Sequence, residues 1–307
     1  MSAIEYTFVE VNACNMCGTA TTEARVLGKR MNRSQGVRPV SRIGIATTVM
    51  KCRDCELVFS NPLPVPHDIA QHYGTPPESY WVPSEFVLDP QHFSREISRY
   101  FDLSGSSSGV GLLALDIGAG LGKSIKALER AGFDTYGIEP SEPFRERALS
   151  MMQISPDRLQ LATLEDAKLP RDSFDFITFG AVLEHLYDPS ASIAHALQLA
   201  KPGGLVHIEV PSSKWLTNKI SNFAYAIQGL DYISNLSPMH SPFHLYEFGL
   251  KSFQANAIRS NYQIAHHEYL VCQTYLPRAV DFLVKPFMAA TNTGMQLEIW
   301  LRKPSAK

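Results

Sequence analysis

No apolar run in this chain approaches the roughly 18 to 20 residues of a membrane-crossing helix, and that absence excludes a helical membrane span. The first residues, MSAIEYTFVEVNACNMC, offer neither the basic start nor the apolar centre of a secretory leader, so the cytoplasm is the expected compartment. A surplus of one charge sign is missing as well. A total of 28 Lys and Arg against 30 Asp and Glu gives a formal net charge of −2, which argues against nucleic acid as a partner, although a local basic patch is compatible with that balance. Internal repeats and extended low-complexity tracts are lacking. Cysteine is scarce, at five residues in 307. What the chain does have is apolar material: 45% of it is hydrophobic and 19% charged, enough for one large globular core or two smaller ones.

The densest local signal lies in residues 112–141, LLALDIGAGLGKSIKALERAGFDTYGIEPS. Residues 112–117 have the length and character of a buried parallel strand, and Gly118, Gly120 and Gly122 then turn the chain. Residues 124–131 carry Ile125 and Leu128 at helical spacing, Gly132 ends the helix, and a second strand begins at Thr135 and closes on Glu139. This is half of a nucleotide-binding α/β unit. Gly122-Lys123-Ser124 suggests a phosphate loop, but the glycine required five residues earlier is Ile117. A dinucleotide fingerprint would need its third glycine one residue later than it stands here.

The run LDIGAGLG, with Asp116 ahead of Gly-x-Gly-x-Gly and Glu139 closing the next strand, resembles motif I of the class I S-adenosylmethionine-dependent methyltransferases. The resemblance implies an α/β, Rossmann-like sheet of seven strands, mostly parallel with the last antiparallel, and S-adenosyl-L-methionine as co-substrate. Asp116, Gly118, Gly120 and Gly122 would then line the donor site. Glu139, about 20 residues on, would accept hydrogen bonds from two ribose hydroxyls. A weak strand at 159–162 leads into Leu164-Glu165-Asp166, the turn that meets adenine in such enzymes; Leu164 and Glu165 are expected there, with Asp166 as the alternative acid. SFDFITFGAVLEHLYDP places a buried strand, 174–179, before Glu184-His185. A helix at 189–200, the turn Lys201-Pro202-Gly203-Gly204 and a strand at 205–210 repeat the family pattern, and strands within 262–272 and 295–302 would complete the sheet.

Four of the cysteines form two Cys-x-x-Cys pairs, Cys14 with Cys17 and Cys52 with Cys55, separated by 34 residues. In a reducing compartment such pairs read as a closed, structural four-cysteine zinc site, with redox chemistry as the alternative. Gly18 after the first knuckle and a short apolar strand after the second have the texture of a zinc ribbon. The piece CRDCELVFSNPLPVPHDIAQHY resembles the N-terminal zinc-binding region of bacterial methyltransferases that act on nucleotide-linked deoxysugars and related small metabolites. It departs from the sugar C-methyltransferases in lacking room for their additional C-terminal domain. Between the knuckles, Lys29, Arg30, Arg33, Arg38 and Arg42 make a basic segment, read as the solvated loop of a ribbon. Cys272, in the apolar run 269–272, reads as a buried core thiol.

The expected organisation is a zinc-ribbon module at 1–75, a helical connector at 76–110 containing a helix at 92–101, and the methyltransferase domain at 111–307. An aromatic-rich insertion at about 212–260 is either a substrate lid or a packed helical subdomain. Methyl transfer from a sulfonium needs a base only where the acceptor must lose a proton. His185, oriented by Glu184, is the leading candidate, and a structural role for it stays open. His244 and His240, in MHSPFHLYEF, and Tyr73 or Tyr80 from the connector are further candidates. The function expected is methylation of a small-molecule substrate, with RNA methylation through the zinc module as the alternative. The acceptor atom and the oligomeric state are not legible.

Overall fold

The alternation of apolar runs and helices after residue 110 becomes one seven-stranded sheet, preceded by a smaller sheet that carries the cysteine knuckles. The computed structural model describes residues 4–30, 45–79, 86–236, 242–272, 274 and 276–305. Arg33, Arg38, Arg42, Tyr80 and His240 lie outside the described residues.

The N-terminal part comprises β1 (Tyr6–Val9), β2 (Arg25–Arg30), β3 (Thr48–Lys51), β4 (Val58–Asn61), β5 (Leu63–Pro66) and the short helix α1 (Ile69–Tyr73). Asp68 caps α1 by accepting from the Gln71 amide at 3.0 Å. Helix α2 (Ser94–Ser104) starts two residues later than expected because Phe93 adopts a left-handed φ of 61°, and it runs on to a left-handed Gly105. There follow β6 (Leu113–Ile117), α3 (Lys123–Arg130), β7 (Asp134–Glu139), α4 (Glu142–Met152), β8 (Leu159–Leu161), β9 (Phe174–Gly180), α5 (Pro189–Leu199) and β10 (Ala200–Pro211). Ser141 and Asp188 cap α4 and α5, each with a proline in the first turn. The last elements are α6 (Leu216–Ile227), β11 (Tyr232–Ile233), β12 (Tyr246–Glu247), α7 (Leu250–Ser260), β13 (Gln263–Leu270), α8 (Asp281–Thr291) and β14 (Gln296–Arg302).

The large sheet has the order β13-β14-β10-β9-β6-β7-β8. Strands β8, β7, β6, β9 and β10 are parallel, and β14 runs antiparallel to both β10 and β13. The central strands are covered on both faces, which is why Leu115, Ile117, Phe176, Ile177, Phe179, Val206 and Ile208 are buried and why the polar residues among them, Asp116, Thr178 and His207, are buried too. Truncating Phe179 to Ala is expected to cost roughly 3–5 kcal/mol. The Lys201–Gly204 turn does not interrupt β10; it is absorbed as an irregularity between Ala200 and Leu205 in the pairing with β9.

The smaller sheet has the order β11-β2-β3-β4-β12. Its outer strands come from the insertion: β11 pairs with β2 and β12 with β4. A single apolar cluster runs from Met16, Leu57 and Phe59 near the knuckles, through Phe248 and Phe253, to Leu115 and Ile177 in the large sheet. The cysteine-bearing segment and the catalytic sheet thus share one core. Two expectations change. Arg30 is fully buried against the Phe243 ring, 5.0 Å from its centroid, and Lys29 pairs with Asp231 at 2.8 Å, so neither is a solvated loop charge without a partner. Cys272 is half-buried beyond the end of β13, with Sγ 3.2 Å from Gln296 Oε1, because the strand ends at Leu270 and releases it from the core.

Candidate active site

The carboxyl ends of β6, β7, β8 and β9 open into a cleft of about 720 Å³, well inside the range of roughly 300–1,000 Å³ of small-molecule sites. This is where an open α/β sheet places its ligands. The glycine turn after β6 forms its floor. Gly118 and Ala119 both donate to the Ile138 carbonyl at 2.9 Å, which ties the turn to β7. Glycine is required at two points of the turn: a Cβ at Gly118 would lie 2.6 Å from Val182 Cγ2, and one at Gly122 would lie 2.2 Å from Ile154 Cδ1, both at left-handed φ.

Glu139 is buried at the end of β7, Oε2 accepting from the Gly120 amide at 2.7 Å and Oε1 from the Ser141 amide at 2.8 Å. Each oxygen keeps a lone pair for a ligand hydroxyl. Burial pushes Glu139 up to about 7 even though those two amides favour its charged form. Asp116, one strand away, is pushed up to about 8 by burial and then by the charge of Glu139. Two buried carboxyls so close leave the cleft floor ready to receive hydroxyl and ammonium groups. Across the cleft, Leu164 is buried and Glu165 exposed, and both line the wall after β8. Asp166 instead accepts from Thr163 Oγ1 at 2.9 Å in a local turn, which leaves Glu165 as the acid facing the cleft.

The opposite wall follows β9. His185 ends a short 3-10 turn, lines the cleft and places Nδ1 2.9 Å from the Phe243 carbonyl oxygen. A carbonyl can only accept, so Nδ1 carries the hydrogen and Nε2 is the nitrogen able to take a proton. Glu184 stands near both histidines: one of its carboxylate oxygens, one His185 ring nitrogen and one His244 ring nitrogen lie within 4.8 Å of one another. Its carboxyl is buried beside His244, Oε1 3.7 Å from His244 Nε2, and burial pushes it up to about 8. The His185 and His244 rings meet edge-on at 4.8 Å. Tyr73, at the end of α1, lines the cleft, whereas His244 and Glu184 stand behind it. Sequence reasoning missed His92, whose Nε2 is 3.3 Å from Ser124 Oγ, and Tyr187, both of which line the cleft. Nothing in their local pattern marks them.

The two knuckles meet some distance from this cleft in the shared core. Cys14 Sγ lies 3.5 Å from Cys55 Sγ and Cys17 Sγ 3.5 Å from Cys52 Sγ, and all four sulfurs fall within 4.8 Å of one another. A tetrahedral ion with Zn–S bonds of about 2.3 Å needs sulfurs about 3.8 Å apart. Each knuckle is closed by backbone bonds, Gly18 to the Cys14 carbonyl at 2.7 Å and Glu56 to the Cys52 carbonyl at 3.2 Å. A hydrogen bond from the Cys55 thiol lowers Cys14 from the ordinary thiol value, the direction that favours a thiolate ligand. The donor set fits zinc.

A mostly parallel seven-stranded sheet with a reversed strand, a glycine turn after its central strand and a buried acid closing the next strand define a class I S-adenosylmethionine-dependent methyltransferase. The profile of the family described as "Methyltransferase domain" matches residues 91–267, more than half of the chain, and the chain belongs to that family. It is 29% identical over 178 residues to the ubiquinone biosynthesis O-methyltransferase of Methylococcus capsulatus, covering 55% of this chain and 69% of that protein. To the enzyme of the same name from Rhodopseudomonas palustris it is 29% identical over 133 residues, 42% of this chain and 49% of that protein. The chain thus spans only about half the length of most of these curated relatives. A solved S-adenosylmethionine-dependent methyltransferase from Mesorhizobium loti superposes with a TM-score of 0.46 at 18% identity, over 67% of this chain and 97% of that one.

Proposed function

We propose that this protein transfers the methyl group of S-adenosylmethionine to a hydroxyl of a small-molecule acceptor, with His185 as general base. The observation that carries the reading is the tautomer of His185: with Nδ1–H committed to the Phe243 carbonyl, Nε2 is the proton-accepting atom of a residue that lines the cleft. Asp116, Gly118, Gly120 and Glu139 hold the methionine and ribose portions of the donor, Gly122 lies outside the cleft lining and lets the turn pack closely on Ile154, and Leu164 and Glu165 face the adenine. Alignment of the acceptor oxygen with the sulfonium methyl supplies much of the rate. The acceptor O–H gives its proton to His185 Nε2, its lone pair forms the new O–CH₃ bond, and the electrons of the broken C–S bond remain on sulfur as a neutral thioether. Tyr73 belongs to the acceptor wall. His244, held by Glu184, packs behind His185 and fixes its ring plane.

A small acceptor suits the cleft, whose lining mixes apolar side chains with polar ones such as Tyr73, His92, His185 and Tyr187. The likeness to ubiquinone biosynthesis O-methyltransferases supports a hydroxyl acceptor. Cys14, Cys17, Cys52 and Cys55 hold a structural zinc ion that contributes to folding and takes no part in the transfer. The test is to incubate purified protein with methyl-labelled donor and either a small-molecule extract rich in phenols or total RNA. Label in small hydroxyl compounds is the expected result. Label confined to RNA overturns the reading.

A further inference from the structure

Three fully buried polar side chains, Tyr246, Ser252 and Asn256, stand between the cysteine knuckles and the cleft. The Tyr246 hydroxyl lies 2.9 Å from the carbonyl oxygen of Tyr187 and 3.1 Å from Asn15 Oδ1. Asn15 sits inside the first knuckle, between Cys14 and Cys17, and Tyr187 lines the cleft two residues after His185. Asn256 Nδ2 spans the same gap one helix over: it donates to Ser190 Oγ at 2.7 Å, at the start of α5, and approaches the Met16 carbonyl at 3.3 Å. Ser252 Oγ donates to the Cys55 carbonyl at 2.9 Å and anchors the second knuckle to α7.

A backbone path runs parallel to these side chains. The Ser60 amide donates to the Leu245 carbonyl at 3.0 Å, and the Leu245 amide to the Glu184 carbonyl at 2.8 Å. Phe243, whose carbonyl sets the His185 tautomer, precedes Leu245 by two residues. The strand that leaves the second knuckle is therefore hydrogen-bonded, through one intervening segment, to the turn that bears His185.

Apolar side chains at positions 246, 252 and 256 would satisfy packing alone, since burying a hydroxyl or amide is unfavourable without good partners. All three place a polar atom on knuckle backbone or on Asn15, and with the same group Tyr246 reaches Tyr187 at the cleft wall and Asn256 reaches Ser190 at the start of α5, while Asn256 Oδ1 has no hydrogen-bond partner among the described residues. We propose that Tyr246 and Asn256 are positioning residues: they carry the geometry of the four-cysteine centre to the wall that holds His185 and Tyr187, so that metal loading sets where His185 stands. This rests on the reading of His185 as base and of the cysteines as a zinc site. The donor half of the cleft is tied together largely within residues 116–165 and has its own link to the N-terminal part, Ser141 Oγ donating to the Tyr73 carbonyl at 2.6 Å.

The experiment uses full-length protein with ¹³Cε1-labelled histidine, saturated with S-adenosylhomocysteine, the His185 signal being assigned by its loss in His185→Gln. Tyr246→Phe should shift the His185 signal while leaving zinc content and S-adenosylhomocysteine affinity unchanged. Asn15→Ala, which severs only the knuckle end of the Tyr246 contact and spares the core, should shift it in the same direction by less. Removing zinc from wild-type protein with a chelator should produce the larger shift, again with the ligand still bound. An unmoved His185 signal in Asn15→Ala and in the zinc-stripped protein overturns the proposal, whatever the fate of Tyr246→Phe. Failure of the wild-type protein to bind S-adenosylhomocysteine is a different result and overturns the donor reading itself.

Discussion

The two sides of the cleft are built in opposite ways. The donor side comes from one stretch, residues 116–165, and its ties are mostly short-range: Glu139 holds Gly120 and Ser141, and Gly118 holds Ile138, although Ser141 Oγ also reaches the Tyr73 carbonyl and Ser124 Oγ lies 3.3 Å from His92 Nε2. The opposite wall is gathered from segments as far apart as Tyr73, His185 and Pro242, and is braced from behind by Asn15, Phe243 and Asn256. A site made from one strand-turn-helix-strand unit keeps its shape wherever that unit folds. A wall assembled from distant segments depends on whatever fastens them, and here much of the fastening passes through the cysteine knuckles.

That difference also explains what could be read from the chain in advance. Asp116, the three glycines and Glu139 were legible because their spacing is itself the structure, and the strands and helices of the large sheet follow from apolar runs and caps. The tetrahedral grouping of Cys14, Cys17, Cys52 and Cys55 was legible for the same reason, since Cys-x-x-Cys is a local turn. The pairing of β11 and β12 with the small sheet was not, because two-residue strands carry no periodicity. Nor was the second histidine beside Glu184: adjacency suggested His185, which lies within 4.8 Å of the carboxyl, but His244 also reaches it from a loop about 60 residues later. The burial of Arg30 escaped for a related reason, since the ring that covers it belongs to Phe243.

The contrast can be broken by experiment, and the largest effect is expected at the knuckles. Cys52→Ser removes one thiolate from a buried four-sulfur site, and part of a zinc-binding free energy of roughly 10–16 kcal/mol is lost with it. A loss of on the order of 3–5 kcal/mol lowers the thermal midpoint by about 10 °C. Donor affinity, measured by calorimetry on the folded fraction, should hold. A donor site that collapses together with the zinc site would erase the distinction between the two sides.

Next in size is His185→Ala, for which turnover should drop by about two to four orders of magnitude while donor affinity stays near wild type. The residual rate should climb with pH as the acceptor hydroxyl ionises unaided. Near-normal turnover in this variant would remove His185 from the chemistry and direct attention to Tyr73. Glu139→Ala addresses the other side. Losing a buried carboxylate that accepts from both the protein and the ribose should weaken donor binding by roughly 2–3 kcal/mol, on the order of 30- to 150-fold, with zinc content intact.

The smallest expected effect is in pH dependence, and it separates the two sides most finely. Glu139 and Asp116 sit at about 7 and 8 in the folded protein, above their ordinary values of 4.5 and 3.8, because burial disfavours their charged forms. Carboxyls raised in this way stabilise the ligand-free fold fully below pH 4, and that contribution is lost as pH rises through 7 and 8. Donor binding runs the other way. Ribose hydroxyls donate to an ionised Glu139, so the site must release a proton before it can accept them. Affinity for S-adenosylhomocysteine should therefore rise between pH 6 and 8, by about tenfold for each pH unit below the carboxyl's own value. In Glu139→Gln the slope should become shallower, leaving only what Asp116 contributes, and the Asp116 carboxyl, relieved of the Glu139 charge, should titrate lower. Calorimetric titration across this range decides it. A slope unchanged by Glu139→Gln, but abolished by His185→Gln, would mean that the titrating group belongs to the acceptor wall and that the two sides of the cleft are electrostatically one.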